Sequence, residues 1–455
     1  MSISIAIVGG GITGATAAQM LAKHHTNPNN NKKLILHVFD QGRRGVGGRT
    51  SSRTSTISDD TQQLKFDHGC QFFRGDTPQF QNILKHWIQQ DYVREWKGKF
   101  HSSNGMSTDR EFFGLPSTPP FYVAVNGMQS LAKNVLDQVI SSTSNEESTE
   151  LQVFTGTRVA QLQRDTSTNK WKLHGTSGVE AYHDTPEKVV QANNTTSIIG
   201  QESGYDAIIL TDVSSSFGKW HRASAGVPES FAKRVRERVG ARVPLFSCMI
   251  AFDKETDIPF DAASFDDSIV WFAARSNSKP GMEALHKECW TIVSTPEYAM
   301  AKIEETPMQD AITGEFIPQS AEYLTTVPAP DLYNAFKELI GKETTLDIET
   351  LPKIVFMDAQ RWGSAMPAHR HVDINSSSST CRKISGVNYD CGRYPLAPTK
   401  DEEGERTAAS FLADDDLMLL QAGDMMGKHT PGFESAVISG IDAAEYLYVK
   451  LLDVT

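Results

Sequence analysis

At 455 residues the chain is long for one compact core, so two or three structural units are expected. A net charge of -12 gives no global attraction for nucleic acid or anionic lipid, and the five scattered cysteines (Cys70, Cys248, Cys289, Cys381, Cys391) lack the spacing of a zinc knuckle or redox pair. No metal site or disulfide framework is expected, no signal peptide or membrane span is read, and a reducing, cytoplasmic setting fits.

Ile3 to Val8 is a short apolar run rich in β-branched residues and reads as a buried parallel strand. Gly9-Gly10-Gly11-Ile12-Thr13-Gly14 follows. Ala15, Ala17, Ala18, Leu21 and Ala22 then recur on a small helix-forming face. Beyond the turn-rich Asn27-Pro28-Asn29-Asn30-Asn31, a second strand from Leu34 to Phe39 closes on Asp40, which makes a βαβ unit. Ser51 to Thr61 reads as polar and mobile, Leu64 to Asp67 as a strand, and Thr77 to Gln90 and Ser130 to Ile140 as helices. Short strands are expected at Val153-Phe154, Val159 to Leu162 and Tyr205 to Leu210. Polar excursions separate them at Ser141 to Thr149 and Thr176 to Ser203. The middle, Phe217 to Asp415, mixes strands (Phe246 to Phe252, Trp290 to Ser294) with a helical pattern at Ala335 to Leu339. Leu417 to Ala422 is a last buried strand, followed by Gly423-Asp424, a loop and a helix from Glu434 to Leu447.

A Gly-x-Gly-x-x-Gly pattern says little alone, because glycines are common. Here it follows a strand, opens a helix and is followed by a second strand that ends in an acid. Gly9 permits the tight turn, Gly11 lets backbone approach a pyrophosphate, and Gly14 lets helix and strand pack closely. The helix N-terminus receives phosphate charge, and Asp40 would accept hydrogen bonds from ribose hydroxyls. The loop by itself leaves FAD and NAD both open.

Arg44-Gly45-Val46-Gly47-Gly48-Arg49 comes next, a bend where amides and a guanidinium can face a diphosphate. In this position it resembles the GG motif of the FAD-dependent amine oxidase superfamily. Asp67-His68-Gly69-Cys70-Gln71-Phe72-Phe73 is similar to the segment that runs beneath the flavin ring in those enzymes, in a form closest to the renalase branch. Ser278-Lys279-Pro280-Gly281 resembles a segment of bacterial renalase-like proteins. Asn126-Gly127-Met128, Arg158-Val159, Gln360-Arg361-Trp362, Leu420 to Asp424 and Gly432 to Ala436 resemble further family steps, in the family's order. Two departures stand out. Thr211-Asp212-Val213 lacks the usual proline, and Met425-Met426 lacks the usual aromatic. No cysteine lies between Gly423 and Ala436 to tether a flavin.

The resemblance implies an α/β fold: a discontinuous Rossmann-type FAD-binding domain with a parallel sheet (1–85, 151–215 and 411–455) and an inserted α+β substrate domain (86–150 and 216–410). It implies non-covalent FAD. The phosphate loop would contribute Gly9, Gly11, Ile12, Thr13 and Gly14, and the ribose side Asp40, Gln41 and Val159. Arg44, Gly48 and Arg49 would face the diphosphate, with Gln71 and Phe72 near the ring. Gly423, Asp424, Phe433, Glu434 and Ala436 would complete the site. Pocket candidates are Gln71, Phe73, Trp271, Arg275, Trp362 and His429; His369 and His371 read as structural. The chemistry implied is hydride transfer from a small dihydronicotinamide-type molecule (an NAD(P)H isomer) to flavin N5, with O2 as acceptor giving H2O2. An amine or polyamine oxidase, a desaturase, or a non-catalytic flavin-fold binding protein remain alternatives.

Overall fold

The computed structural model describes residues 2–25, 32–57, 63–103, 120–143, 148–177, 196–213, 226–307, 319–370, 381–384, 387–390, 410–426 and 432–452. The chain opens on β1, Ser2–Val8, and passes through the glycine turn into α1, Ile12–His25, and out to β2, Lys33–Phe39. A hairpin follows, β3 (Ser52–Thr56) and β4 (Gln63–Asp67). Then come α2 (Pro78–Gln89), β5 (Val93–Glu95), β6 (Phe100–Ser102), β7 (Tyr122–Ala124) and α3 (Gln129–Thr143). Next are β8 (Thr149–Phe154), β9 (Thr157–Asp165), β10 (Lys170–Ser177), β11 (Ser197–Ile199) and β12 (Ala207–Leu210). The second half holds α4 (Glu229–Val239), β13 (Arg242–Phe252), β14 (Ala262–Ser264), β15 (Val270–Arg275), β16 (Glu288–Ser294) and α5 (Pro296–Glu305). It continues with α6 (Ala321–Thr326), α7 (Pro328–Glu343) and β17 (Ile354–Pro367). Three short strands, β18 (His369–Arg370), β19 (Cys381–Ile384) and β20 (Val387–Asp390), precede β21 (Leu412–Asp414), β22 (Leu419–Gln421) and the final α8, Phe433–Leu452.

The first sheet runs β21-β22-β12-β1-β2-β8 and is parallel except for the edge strand β21. Both faces are covered, so its central strands are mostly apolar on both sides rather than alternating. On one face, Ile5, Ile7, Leu34, Leu36 and Val38 share a core with α1, α3 and α8. On the other, Ala6, Phe39 and Ile208 pack with Trp171 and Leu173 of the β9–β11 sheet and with Phe231 and Val235 of α4. The expected boundaries assign 129–143 to the inserted part, yet α3 packs on the nucleotide side, with Gln138 Oε1 accepting from Gln19 Nε2 at 3.0 Å.

The second sheet, β17-β13-β16-β15-β14-β6, is antiparallel apart from the β14–β6 pair. Phe246, Cys248, Ile250 and Phe252 of β13 face Leu332, Phe336 and Leu339 of α7. Met249 and Ala251, on the opposite face, meet Leu64 and Phe66 of the β3–β4 hairpin. The hairpin corrects the expectation of mobility over 51–57: Ser52–Thr56 is a strand paired with Gln63–Asp67, while 58–61 lie outside the described residues. Two of its polar side chains are held by protein partners, Ser52 Oγ donating to the buried Asp67 Oδ1 at 2.6 Å and Arg53 pairing with the half-buried Asp358. Among the described residues, no helix is long and apolar enough to cross a membrane.

Candidate functional site

The parallel strands β1, β2, β12 and β22 end side by side. From β1 the chain steps outward to β2 and then β8, and later returns to β12 on the other side of β1, so the carboxyl ends of β1 and β12 form a switch point where ligands characteristically bind. Gly9, φ +112°, makes the turn out of β1, and its N–H donates to Phe39 O at 2.8 Å. Thr211 stands two residues before Val213, which takes the place of the expected proline. It clamps the turn from the other side, its Oγ1 donating to Val8 O at 2.9 Å. The second glycine cluster lies against the first: Gly47 N–H donates to Gly10 O at 3.0 Å, and Gln129 Nε2 of α3 holds Val46 O at 2.8 Å. At Gly11 an added Cβ would meet Gly47 O at 3.5 Å, an ordinary contact, so the two loops lie against each other there.

Asp40 is buried at the end of β2. Its Oδ2 accepts Gly10 N–H at 2.9 Å and its Oδ1 accepts Gly42 N–H at 2.7 Å. Burial pushes its carboxyl up to about 6, against the lowering effect of those two amides. Further donors such as ribose hydroxyls would favour the ionised form and lower that value. Below pH about 6 binding must then expel a proton, so dinucleotide affinity should fall as pH drops, approaching tenfold per unit. Fluorescence titrations across this range check it, and a flat affinity would contradict the assignment. The start of β9 is bonded to the same turn, Thr157 N–H to Asp40 O at 2.9 Å, which brings the Val159 strand beside it. Gln41 and Arg44 are exposed on the loop.

Arg49 sits differently from the expected diphosphate contact. Its guanidinium forms a two-pronged pair with Asp424 and also donates to Ala365 O at 3.1 Å. Two residues expected to touch a ligand separately thus tie the second glycine cluster to the last strand. Gly423, just before Asp424, donates its N–H to Ser439 Oγ of α8 at 2.8 Å. Gly440 brings α8 against α1, where an added Cβ would lie 2.3 Å from Thr13 O. The first turn of α8 holds Phe433, Glu434, Ser435 and Ala436. Glu434 accepts the N–H groups of Asp76 (2.7 Å) and Thr77 (3.0 Å) at the start of α2, so its carboxylate serves that helix. Ser435 is 1% exposed, and its Oγ has no hydrogen-bond partner among the described residues. An orphan hydroxyl in the first turn of a 20-residue helix packed against α1 fits an acceptor-bearing ligand such as a dinucleotide.

The Asp67–Phe73 segment passes beside this pair, Cys70 N–H donating to Arg49 O at 2.8 Å. Its side chains correct two pocket expectations. Gln71 is buried with its amide turned inward: Nε2 donates to the carbonyls of Asp67 and Gly69, and Oε1 accepts from Lys279. Phe73 stacks on Phe433, centroids 4.1 Å apart, and so packs the segment against α8 rather than facing a pocket. Phe72 joins an aromatic cluster with Phe121, Phe272 and Trp96. Trp362 is half-buried, its Nε1 donating to His68 O at 2.8 Å and to Ser247 Oγ at 3.2 Å. Trp271 is half-buried against the first core.

Arg275 is a further correction. Its guanidinium pairs with Asp261 and lies 3.6 Å from Glu288, above the Trp290 ring, so its charge is met within the second sheet. Lys279 is the residue the sequence reading missed, as is its partner Asp67. They are 1% and 0% exposed, with Nζ 3.1 Å from Oδ2. The Ser278–Gly281 motif flagged the place, but nothing local connects it to a carboxylate 212 positions away. His429 and His371 lie outside the described residues, and of His369 only its strand is described. Among the described residues, no group of three or more His, Cys, Asp or Glu side chains could hold a metal ion.

Residues 7–87 match the family description of an NAD(P)-binding Rossmann-like domain. Two solved structures align over nearly the whole chain. One is a protein assigned as a protoporphyrinogen oxidase from Exiguobacterium sp. 255-15, at TM-score 0.51 and 12% identity, covering 99% of each chain. The other is a putrescine oxidase redesigned in its cofactor binding, at TM-score 0.50 and 11% identity, covering 99% of this chain and 100% of that one. At such identities the likeness speaks to architecture: the chain is an α/β protein with a Rossmann-like dinucleotide domain and a parallel sheet, in the fold these two proteins share.

Proposed function

We propose that the chain is an FAD-dependent oxidoreductase that holds its flavin non-covalently and oxidises a dihydronicotinamide-type molecule, an isomer of NAD(P)H, with O2 as acceptor and H2O2 as product. FAD is favoured over NAD by the joining of the two glycine clusters, Gly47 to Gly10, with Asp40 on one side and the Arg49–Asp424 pair on the other. In this reading Asp40 takes the ribose hydroxyls, Gly11 to Gly14 and Gly48 take the diphosphate, and the α8 N-terminus faces the pyrimidine edge. That helix end would favour the negative charge gained on reduction. The flavin supplies hydride acceptance and return of electrons to oxygen. The protein excludes water and sets the donor carbon in place.

The observation that carries the substrate class is the bond between the two segments that resemble the renalase branch. Gln71 and Lys279, 208 positions apart, meet at 3.1 Å, so both motifs belong to one assembly beside the glycine loops. An amine substrate would want an uncommitted carboxylate. Asp261, Glu288 and Asp358 of the second sheet are instead drawn to Arg275 or Arg53. The test is anaerobic addition of dihydronicotinamide isomers, or of putrescine and spermine, to the yellow protein. Bleaching by the isomers is expected. Bleaching by amines alone would replace this reading with that of an amine oxidase, and bleaching by neither would argue for a binding protein.

A further inference from the structure

The loop after β15 is built to deliver one ammonium into the interior. Asn277 Nδ2 donates to Leu285 O and Lys287 O, both at 3.1 Å, while its Oδ1 accepts Cys289 N–H at 2.8 Å. Ser278 Oγ accepts from Trp96 Nε1 at 3.1 Å and donates to Arg275 O at 2.8 Å. Asn126 N–H reaches Pro280 O at 3.0 Å, which docks the loop on the turn before α3. Held on both sides, Lys279 places Nζ 3.1 Å from Asp67 Oδ2, 3.1 Å from Gln71 Oε1 and 5.3 Å from the centre of the Trp96 ring. The other oxygen of Asp67 is already taken by Ser52 Oγ at 2.6 Å and Met128 N–H at 2.8 Å. The result is a compensated charge pair under the segment that abuts Arg49.

We propose that Lys279 is a positioning residue of the cofactor site: it locks Gln71 and the Asp67–Phe73 backbone, and its buried charge sets how readily the bound flavin is reduced. The inference rests on the FAD reading above. Without the ammonium, Asp67 keeps a negative charge with only dipoles around it, in an interior where charges act strongly on one another. Reduction adds negative charge to the flavin, so an uncompensated carboxylate nearby opposes it. Neutralising Asp67 as well restores the balance.

The test is the reduction potential of flavin-loaded wild type, Lys279→Met and the double variant Lys279→Met/Asp67→Asn, by anaerobic titration against a reference dye. Lys279→Met should lower the reduced-to-oxidised ratio about tenfold at fixed poise, about 30 mV for a two-electron couple. The double variant should return toward wild type. A simple brace would lower melting temperature in the single variant and leave the potential alone, and that result overturns the inference. If Lys279→Met does not fold, Lys279→Gln, uncharged but able to donate to the same partners, reads the same shift. Flavin-loaded wild type with unchanged potentials in Lys279→Met or Lys279→Gln sinks this inference alone. Wild type that takes up no flavin sinks the FAD reading and this inference with it.

Discussion

Gly14→Ala is expected to destabilise the protein by about 3 kcal/mol or more and to abolish dinucleotide retention. A Cβ at this position would lie 2.0 Å from Gly9 O and 3.2 Å from Ile7 Cγ2. The first neighbour is backbone, so no side chain can swing aside. Helix α1 must lift from β1, and the Gly9 turn moves with it, along with its bonds to Phe39 and Thr211. Gly11→Ala is the matched control. Its Cβ would meet Gly47 O at 3.5 Å, Gly47 C at 3.9 Å and Gly48 Cα at 4.0 Å, all ordinary contacts. That variant should melt like wild type yet bind dinucleotide far more weakly, because the space it fills is the ligand's. Thermal melts and gel-filtered absorbance spectra of both variants check the pair. A Gly14→Ala protein with wild-type stability and a full ligand complement would contradict the close-packing argument. A Gly11→Ala protein that binds normally would remove the loop from the site.

Arg49→Ala should cost about 3 kcal/mol and release the cofactor. Asp424 is only 5% exposed at its side chain, and its two oxygens face the Arg49 guanidinium, whose own side chain is 36% exposed. Removing the arginine strands a buried carboxylate, and the partial exposure of the pair keeps the cost at the lower end for such losses. Arg49→Ala/Asp424→Asn should recover much of the stability, because the stranded charge is gone, without recovering binding. Additive losses in the double variant would mean that the pair contributes little and that each residue acts on its own.

The features legible in the sequence are those that local pattern dictates. Ile3 to Val8 and Leu34 to Phe39 read as strands of a βαβ unit because both faces are buried and the runs are apolar apart from Ser4 and His37. Thr77 marks the start of α2 through a side chain that accepts Phe80 N–H. The strand Ser52–Thr56 was hidden because its two buried polar side chains, Ser52 and Arg53, pair with Asp67 and Asp358, which no local pattern reveals. Site residues divide along the same line. Gly9, Gly14 and Asp40 act through backbone a few residues or one βαβ unit away, and spacing finds them. Arg275 carries the right chemistry for a ligand, but Asp261, 14 positions earlier, meets its charge within the same sheet. Gln71 was placed in the right segment with its amide facing the wrong way. Its partner, Lys279, comes from the far half of the chain.

The central claim is that this dinucleotide site is a flavin site. The measurement that tests it most directly is the absorbance spectrum of the purified chain after gel filtration and reconstitution, beside that of Asp40→Ala. The account predicts a yellow protein carrying one FAD per chain, released on denaturation without proteolysis, and an Asp40→Ala variant that loses it. A colourless wild type that refuses FAD while binding NAD(P), or an Asp40→Ala variant that keeps its full flavin spectrum, would contradict it.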